Sequence, residues 1–546
     1  MKKRLISSIL VIAMAAGILA GCGNGKQAET SKTNPTEIPK TDTVKDKTEP
    51  TEAVTEDSTY GDTGGLKLPL VDKPTKITWM LQSTVQGLND KDVIKEIERR
   101  TGITLEIQSY PEASYEDKLK ITLASGSLPD IITGSTVSEV NKLGGQGAFV
   151  AINDYINELP NFKNLYVDND ENNWVMKSYS DDKNKIYTWP IYGLSRDVNH
   201  GFMYRQDIFD KHGIKEWTNT DEFYQALKQL KEFYPNSTPI VSKTQDAIFS
   251  DWAYGWGIGG LSYPMYYDEG NSTWKLATIQ PEFKEMIDFM KKLYNEGLLD
   301  PEFVTDTAAS WTAKMTSENS AFVTFDWIGR LDMFYEQVKE VMPEYNLRYA
   351  NPVGPTGNIR TLSKVLNFGL AVAKGKNEEI SLKLLDYLTS PSGSELITLG
   401  IEGEHYTLDG NGKVSYPNIT DVEKIEITTL EDRYGAWIES MYVKVDPRST
   451  YFNYTEKEQE AQDKINKGMT YEPIDPQLKF TDDETSELVE LATTLQKAGI
   501  EFAVQYVLDK NYGDAQWDAW LDNAQKLNTP QLEEIYNAAQ ARYNAN

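Results

Sequence analysis

Between residues 74 and 134 the apolar positions change period several times. "TKITWML" (75–81) has the apolar, β-branched character of a strand, and "ITLEIQSY" (103–110) alternates apolar with polar, as a half-buried strand does. Between them Val93, Ile94 and Ile97 recur at helical spacing in "DKDVIKEIERRTG" (90–102), with Gly102 placed to end the helix. "SYEDKLKITLASG" (114–126) predicts a second helix, capped at Ser114 with Glu116 and Asp117 in its first turn. "PDIITG" (129–134) predicts a short strand. Strands alternating with helices imply a mostly parallel α/β sheet, in which ligands bind at the carboxyl ends of strands. Those ends are Gln82-Ser83-Thr84 and Gly134-Ser135-Thr136, all small or polar.

Further along, helical spacing predicts helices over 218–235, capped at Thr220 with Phe223, Leu227 and Leu230 inward, and over 281–302, from Pro281 to Gly297. "SENSAFVTFDWIGR" (317–330) reads as a strand stopping at an exposed aromatic loop, and "KVLNFGLAVAKG" (364–375) as a strand with a helix after it. Residues 484–508 and 514–543 carry long helical runs.

The N-terminus has a different pattern. Lys2, Lys3 and Arg4 precede an apolar run from Leu5 to Ala20, short for a membrane span of ~20 residues but suited to a signal peptide. It closes on Leu19-Ala20-Gly21-Cys22, which resembles the bacterial lipoprotein processing box, whose Cys is acylated on sulfur and becomes the new N-terminus. Cys22 is the only cysteine in 546 residues, so no internal disulfide forms. Residues from Gly23 to about Gly65 are Thr, Lys, Glu, Asp and Pro with little to bury, which predicts a flexible tether spanning roughly 35 Å for some 43 residues. This predicts a chain anchored to a membrane without crossing it, on the outer face of a Gram-positive-like cytoplasmic membrane.

Composition narrows the function. The net charge is −28, from 83 acidic and 55 basic residues, which disfavours nucleic acid as a partner and argues weakly against a polyanionic ligand. Three widely spaced His and one Cys offer no zinc pattern. "GWGIGG" (255–260) satisfies G-x-G-x-x-G, yet "LSYPMYYDEG" follows where a helix would have to start, so it is no dinucleotide fingerprint. No G-x-S-x-G and no Walker A sequence occurs. An enzyme therefore has no positive signature.

At this point the residues resemble a known family. "LASGSLPDII" (123–132), "FMYRQDIFDKHGIKEWTNTDEFYQAL" (202–227), "SAFVTFDWIG" (320–329), "GIEGEHYTLDGNG" (400–412) and "WDAWLDNAQKLNTPQLEEIYNAAQARY" (517–543) are similar, in this order, to extracellular solute-binding proteins of family 1. More narrowly, the chain resembles oligosaccharide-binding lipoproteins of bacterial ABC sugar importers. The resemblance implies an α/β, two-lobed periplasmic-binding-protein-like fold with mostly parallel central sheets, hinge-linked, and a helix-rich C-terminal part. It implies a non-catalytic, monomeric receptor with no cofactor, holding a neutral oligosaccharide between its lobes and docking on ABC permease subunits. Crossovers are expected near Trp189–Tyr204 and Leu366–Val372. The expected divisions are a signal peptide 1–21, a tether 22–70, the first lobe 71–190, the second lobe 191–366, a return segment 367–410 mainly in the first lobe, and 411–546 mainly in the second lobe and flanking the cleft. Part of the family carries a calcium-like loop where this chain reads "FYPNSTPIV" (233–241), without acidic ligands, and "DNDENN" (168–173) lacks EF-hand spacing, so no metal is expected.

A sugar site needs aromatic planes for C–H faces and polar groups for hydroxyls. Trp327 follows the strand "AFVTF" and matches the family's inter-lobe aromatic. Trp252, Tyr254 and Trp256 lie among glycines that permit close approach; at least one is expected in the cleft, a buried cluster being the alternative for the rest. Ser83, Ser135 and Asp326 are candidate polar contacts. Glu404, His405 and Tyr406 form either a ligand contact or a structural hairpin. Arg433 and Trp437, four apart, suit a cation–π pair as well as a site. A peptide or other polar solute, or less readily a surface glycan-degrading enzyme, are the alternative functions.

Overall fold

The computed structural model describes residues 59–193, 199–261, 264–422, 424–472 and 474–545. The signal sequence, Cys22 and the tether as far as residue 58 lie outside the described residues. Strand β1 (Thr75–Gln82), a helix (Asp92–Thr101), β2 (Ile103–Tyr110), a helix (Glu112–Ser125) and β3 (Ile131–Thr136) follow one another as the periodicity predicts. Gly102, at φ 74°, ends the first helix. The second helix starts two residues before Ser114, whose hydroxyl donates to Pro111 O and does not cap.

The chain then forms β4 (Thr188–Tyr192) and crosses to β5 (His200–Arg205), β6 (Val323–Trp327) and β7 (Leu347–Tyr349), before returning as β8 (Val365–Val372). The first sheet has the order β2-β1-β3-β8-β4, with β1 parallel to β2 and β3 and with β8 antiparallel to β3 and β4. The second has the order β6-β5-β7 and is antiparallel, extended by a parallel bridge from Ile240 to Val323. The mostly parallel expectation thus holds for three strands of the first sheet alone.

Each sheet anchors its own core. Trp79, Ile103, Trp189, Leu385 and Leu396 belong to the first, and Trp217, Phe223, Trp252, Met286 and Leu293 to the second. The helix Thr220–Phe233 lies as predicted but is capped by Asn219, whose side chain accepts from Glu222 N. The helix Asp482–Leu508 and the pair Asp514–Lys526 and Thr529–Ala545 add Leu495, Trp517 and Leu532 to the second core. Asn528, at φ 65°, divides that pair, which the sequence reads as one run.

Three segments join the lobes. The first runs between β4, which ends at Tyr192, and β5, which starts at His200. The second is 350–364, because Leu366–Val372 belongs to β8. The third follows Lys444, which pairs in parallel with Tyr192 in the first lobe. It leads through a helix Pro447–Tyr451 to a helix Glu456–Asn466, whose Ala461 and Ile465 pack with Leu331 and Leu347 of the second lobe. Val414, Tyr416, Leu430 and Val443 lie in the first core, so residues 411 to about 445 belong there, whereas the sequence assigned them mainly to the second lobe. Residues 59–70 are likewise held by the first lobe. Tyr60 lies under the Arg99 and Arg100 guanidinium groups, Ser392 N donates to Asp62 O, and Leu66, Leu68 and Leu70 pack on the core. The tether expected to reach residue 70 is therefore fixed from Tyr60 onward.

Candidate functional site

The pairing registers place the functional surfaces. The carboxyl ends of β1, β3 and β4 share one end of the first sheet with the start of β8. In the second sheet His200, at the start of β5, pairs with Trp327 at the end of β6, and Tyr349 at the end of β7 donates its hydroxyl to His200 O. The first and second crossing segments leave from these ends. The two sheets therefore turn strand ends, with their loops, towards the gap that the crossings bridge.

On the second lobe this surface centres on Trp327, which is 42% exposed although its strand is otherwise buried. The His200 ring meets it edge-on at 5.5 Å, and the Arg330 guanidinium lies 5.5 Å from its centre. Asp326, buried, accepts from Trp327 N at 2.7 Å through Oδ1. Its Oδ2 lies 2.5 Å from Lys243 Nζ, and Arg330 Nε approaches Oδ1 at 3.6 Å. Lys243 also lies over the Trp311 ring at 4.8 Å. One carboxylate thus fixes two cations and the backbone of the exposed indole. A fixed aromatic plane with charged groups around it suits C–H faces and hydroxyls together.

Behind His200, whose ring meets Trp327, a recess of about 10 Å³ is lined by His200, Asp251, Tyr254, Tyr349, Asn358 and Arg360. It holds roughly one water. Burial pushes the Asp251 carboxyl up to about 7, against a hydrogen bond from Thr244 Oγ1 (2.9 Å) that favours ionisation. On the first lobe Ser83 Oγ accepts from Val85 N, and Ser135 is buried, its hydroxyl without a hydrogen-bond partner among the described residues. Near the same end, burial raises the Glu431 carboxyl to about 7 and also lifts that of Glu439.

The structure therefore exposes Trp327, with Asp326 buried behind it and Tyr254 half-buried at the recess, while on the facing lobe Ser83 is half-buried and Ser135 is buried. Other candidates are held in the cores, although Trp252 also lines the recess. Trp252 and Trp256 are both 2% exposed; Trp252 packs on Phe202 at 5.4 Å, and the two indoles stack at 6.3 Å within the second core. The glycines around them serve the chain itself, since a Cβ on Gly255 would lie 1.8 Å from Val353 O. His405 is buried, stacked on Tyr434 at 4.1 Å, with Nδ1 accepting from Ile401 N and Nε2 3.5 Å from Asp92 Oδ2; burial lowers its pKa against the pull of that carboxylate. Tyr406 is fully buried in the first core, and Glu404 beside it is exposed. Arg433 pairs with Asp421, while Trp437 is buried 5.3 Å from Tyr442. Gly435, at φ 71°, ends the helix between them, so the two do not share a helical face. Sequence reasoning missed Lys243, Asp251, Arg330, Arg360 and His200. Only Arg330 left a trace, four residues after Asp326.

A wider groove of about 1120 Å³ runs along the third crossing past Tyr451, Phe452 and Tyr454. Three of its charged residues are engaged internally, Arg448 by Asp446 and Glu395, Glu460 by Arg348, and Lys464 by Glu216, while Lys413, Glu456, Asp463 and Lys467 also line it.

The chain belongs to the bacterial extracellular solute-binding protein family, whose model matches residues 92–399. This is a family of binding proteins and not of enzymes. The polygalacturonan/rhamnogalacturonan-binding protein YtcQ of Bacillus subtilis is 26% identical over 61% of this chain and 67% of its own. Lipoprotein LipO of the same organism is 24% identical over 77% and 84%. The melibiose/raffinose/stachyose-binding protein MelE, also of B. subtilis, is 23% identical over 45% and 55%. Among solved structures, the alginate-binding protein AlgQ2 without calcium ion has a TM-score of 0.62 at 23% identity, covering 86% of this chain and 99% of that one. A solute-binding protein from Bifidobacterium longum subsp. infantis reaches 0.68 at 18% identity, covering 87% and 99%. These likenesses show the two-lobed fold.

Proposed function

We propose that the chain is a lipid-anchored receptor that captures an oligosaccharide between its lobes and delivers it to the permease of an ABC importer. The observation that carries this reading is Trp327, an exposed indole held in a fixed frame of Asp326, Lys243 and Arg330 at the end of the second sheet. Relatives named for binding saccharides support it, and the lipoprotein box at Cys22, with a lipoprotein among the relatives, supports the anchor. Ligand would enter an open cleft and favour the closed form by binding it more tightly. The ligand's charge does not follow from kinship, because the relatives are named for acidic and neutral saccharides alike.

Titration calorimetry against a panel of acidic and neutral oligosaccharides, paired with X-ray scattering, tests the proposal. Saturable heat with a smaller radius of gyration and no new reducing ends is the expected result. Binding of peptides but of no saccharide would overturn the ligand class. Reducing ends accumulating with time would overturn the receptor role.

A further inference from the structure

We propose that Arg360 makes this site selective for an acidic saccharide, the guanidinium receiving the carboxylate of a uronic-acid residue whose ring lies against Trp327. The proposal rests on the oligosaccharide reading above and replaces the neutral ligand expected from the sequence.

Arg360 is on the second crossing segment, directly after Asn358 and Ile359, which pair with Thr470 and Tyr471. Ile359 is buried and the Asn358 amide donates to Glu472, so the backbone that carries Arg360 is fixed. The Arg360 side chain is half-buried and lines the recess with His200, Asp251 and Tyr254. Among the described residues it makes no hydrogen bond and no ion pair. The neighbouring cations differ, since Lys243 and Arg330 share Asp326. A half-buried guanidinium with its donors unused is costly, and a carboxylate oxygen that reaches it accepts a charge-assisted hydrogen bond.

The dimensions say which part of a ligand reaches it. A recess of about 10 Å³ admits no sugar ring. It admits one oxygen of a substituent projecting from a ring outside. His200 connects the two places, because it lines the recess and meets the Trp327 ring at 5.5 Å. A pyranose stacked on Trp327 has one common exocyclic arm, at C6, and in a uronic acid that carbon is the carboxylate. The charged groups around the recess are Asp251, Arg360, Asp326, Lys243, Glu472 and Asp475; Asp326 and Lys243 are paired with each other, and Glu472 accepts from Asn358. Asp251, with its carboxyl raised to about 7, holds a proton below that pH. It then does not contest Arg360 and can itself donate to the incoming oxygen. Above pH 7 its charge competes with the ligand's, so acidic ligands should bind more weakly there.

The test titrates the intact protein with a galacturonic acid trimer and with its methyl ester, which has the same shape but no charge. The acid is expected to bind at least tenfold more tightly than the ester. Arg360→Gln should weaken the acid by about ten- to a hundredfold and the ester by less than about threefold, with an unchanged melting temperature. Arg360→Lys should recover part of the loss. Equal affinity for acid and ester, or equal losses of both in R360Q, would overturn the selectivity while leaving the oligosaccharide reading in place. If neutral saccharides bind and the acid does not, the selectivity is likewise overturned. If no saccharide binds at all, the oligosaccharide reading falls, and this inference with it.

Discussion

Lys243 Nζ and Asp326 Oδ2 lie 2.5 Å apart directly behind the exposed indole of Trp327. The carboxylate is buried while the ammonium keeps some contact with solvent, so the pair is unequal. Removing the acid leaves Lys243 and Arg330 without their counter-charge and frees Trp327 N. Asp326→Ala should cost about 2–3 kcal/mol in a urea titration, below the loss for a fully buried pair, and should also reduce saccharide affinity. Full stability in D326A would show that the frame does not need this carboxylate.

Trp327→Ala should separate binding from folding. The ring is 42% exposed, so its loss should change stability by less than about 1 kcal/mol. Ligand affinity measured by calorimetry should fall by about ten- to a hundredfold, because the aromatic plane goes with it. Unchanged affinity would move the site away from β6.

Trp252 should behave in the opposite way. It is packed between Phe202 and Trp256, and Trp252→Ala opens a cavity that should cost about 3–5 kcal/mol. Trp252→Phe keeps most of the volume and should restore much of the melting temperature without altering affinity. A stable W252A variant with impaired binding would return this residue to the site.

Stability should also depend on pH through buried carboxyls. Burial raises Asp386 and Asp475 to about 6, and Asp251 and Glu431 to about 7. In each case the folded chain holds a proton that the unfolded chain has released, so stability falls as pH rises from about 4 to 7. His405 and His212, whose values are lowered, oppose this trend below about pH 6.5. Asp386 offers the cleanest measurement, since it is fully buried and accepts from Asn161 N, Asn161 Nδ2 and Phe162 N. The urea midpoint of Asp386→Asn should vary less between pH 4 and 6 than that of the wild type. An equal slope in both would show that Asp386 titrates normally.

The sequence made the first sheet legible because its signals are local. Val93, Ile94 and Ile97 mark one helical face, Gly102 ends it, and the alternation in 103–110 needs no distant partner to be read. Trp327 was legible as the residue following an apolar strand. The misplaced aromatics depend on contacts far along the chain. Nothing near Trp252 announces Phe202, and nothing near residue 255 announces Val353, whose O a Cβ there would meet. Arg433 and Trp437 failed through a single residue, Gly435, whose left-handed backbone turns the chain between them. Leu66, Leu68 and Leu70 alternate like a strand, but the polar stretch before them hid that signal. Arg360 belongs to no motif; its importance comes from what surrounds it.

The pairing of Tyr192 with Lys444 bears on the timing of synthesis. The edge of the first sheet gains its last neighbour only after most of the chain has been made, and the second core takes Leu532 from the final helix. Neither lobe can be completed while the ribosome is still working through the middle of the sequence. Both lobes are thus completed late in translation, an order that suits a member of an extracellular protein family.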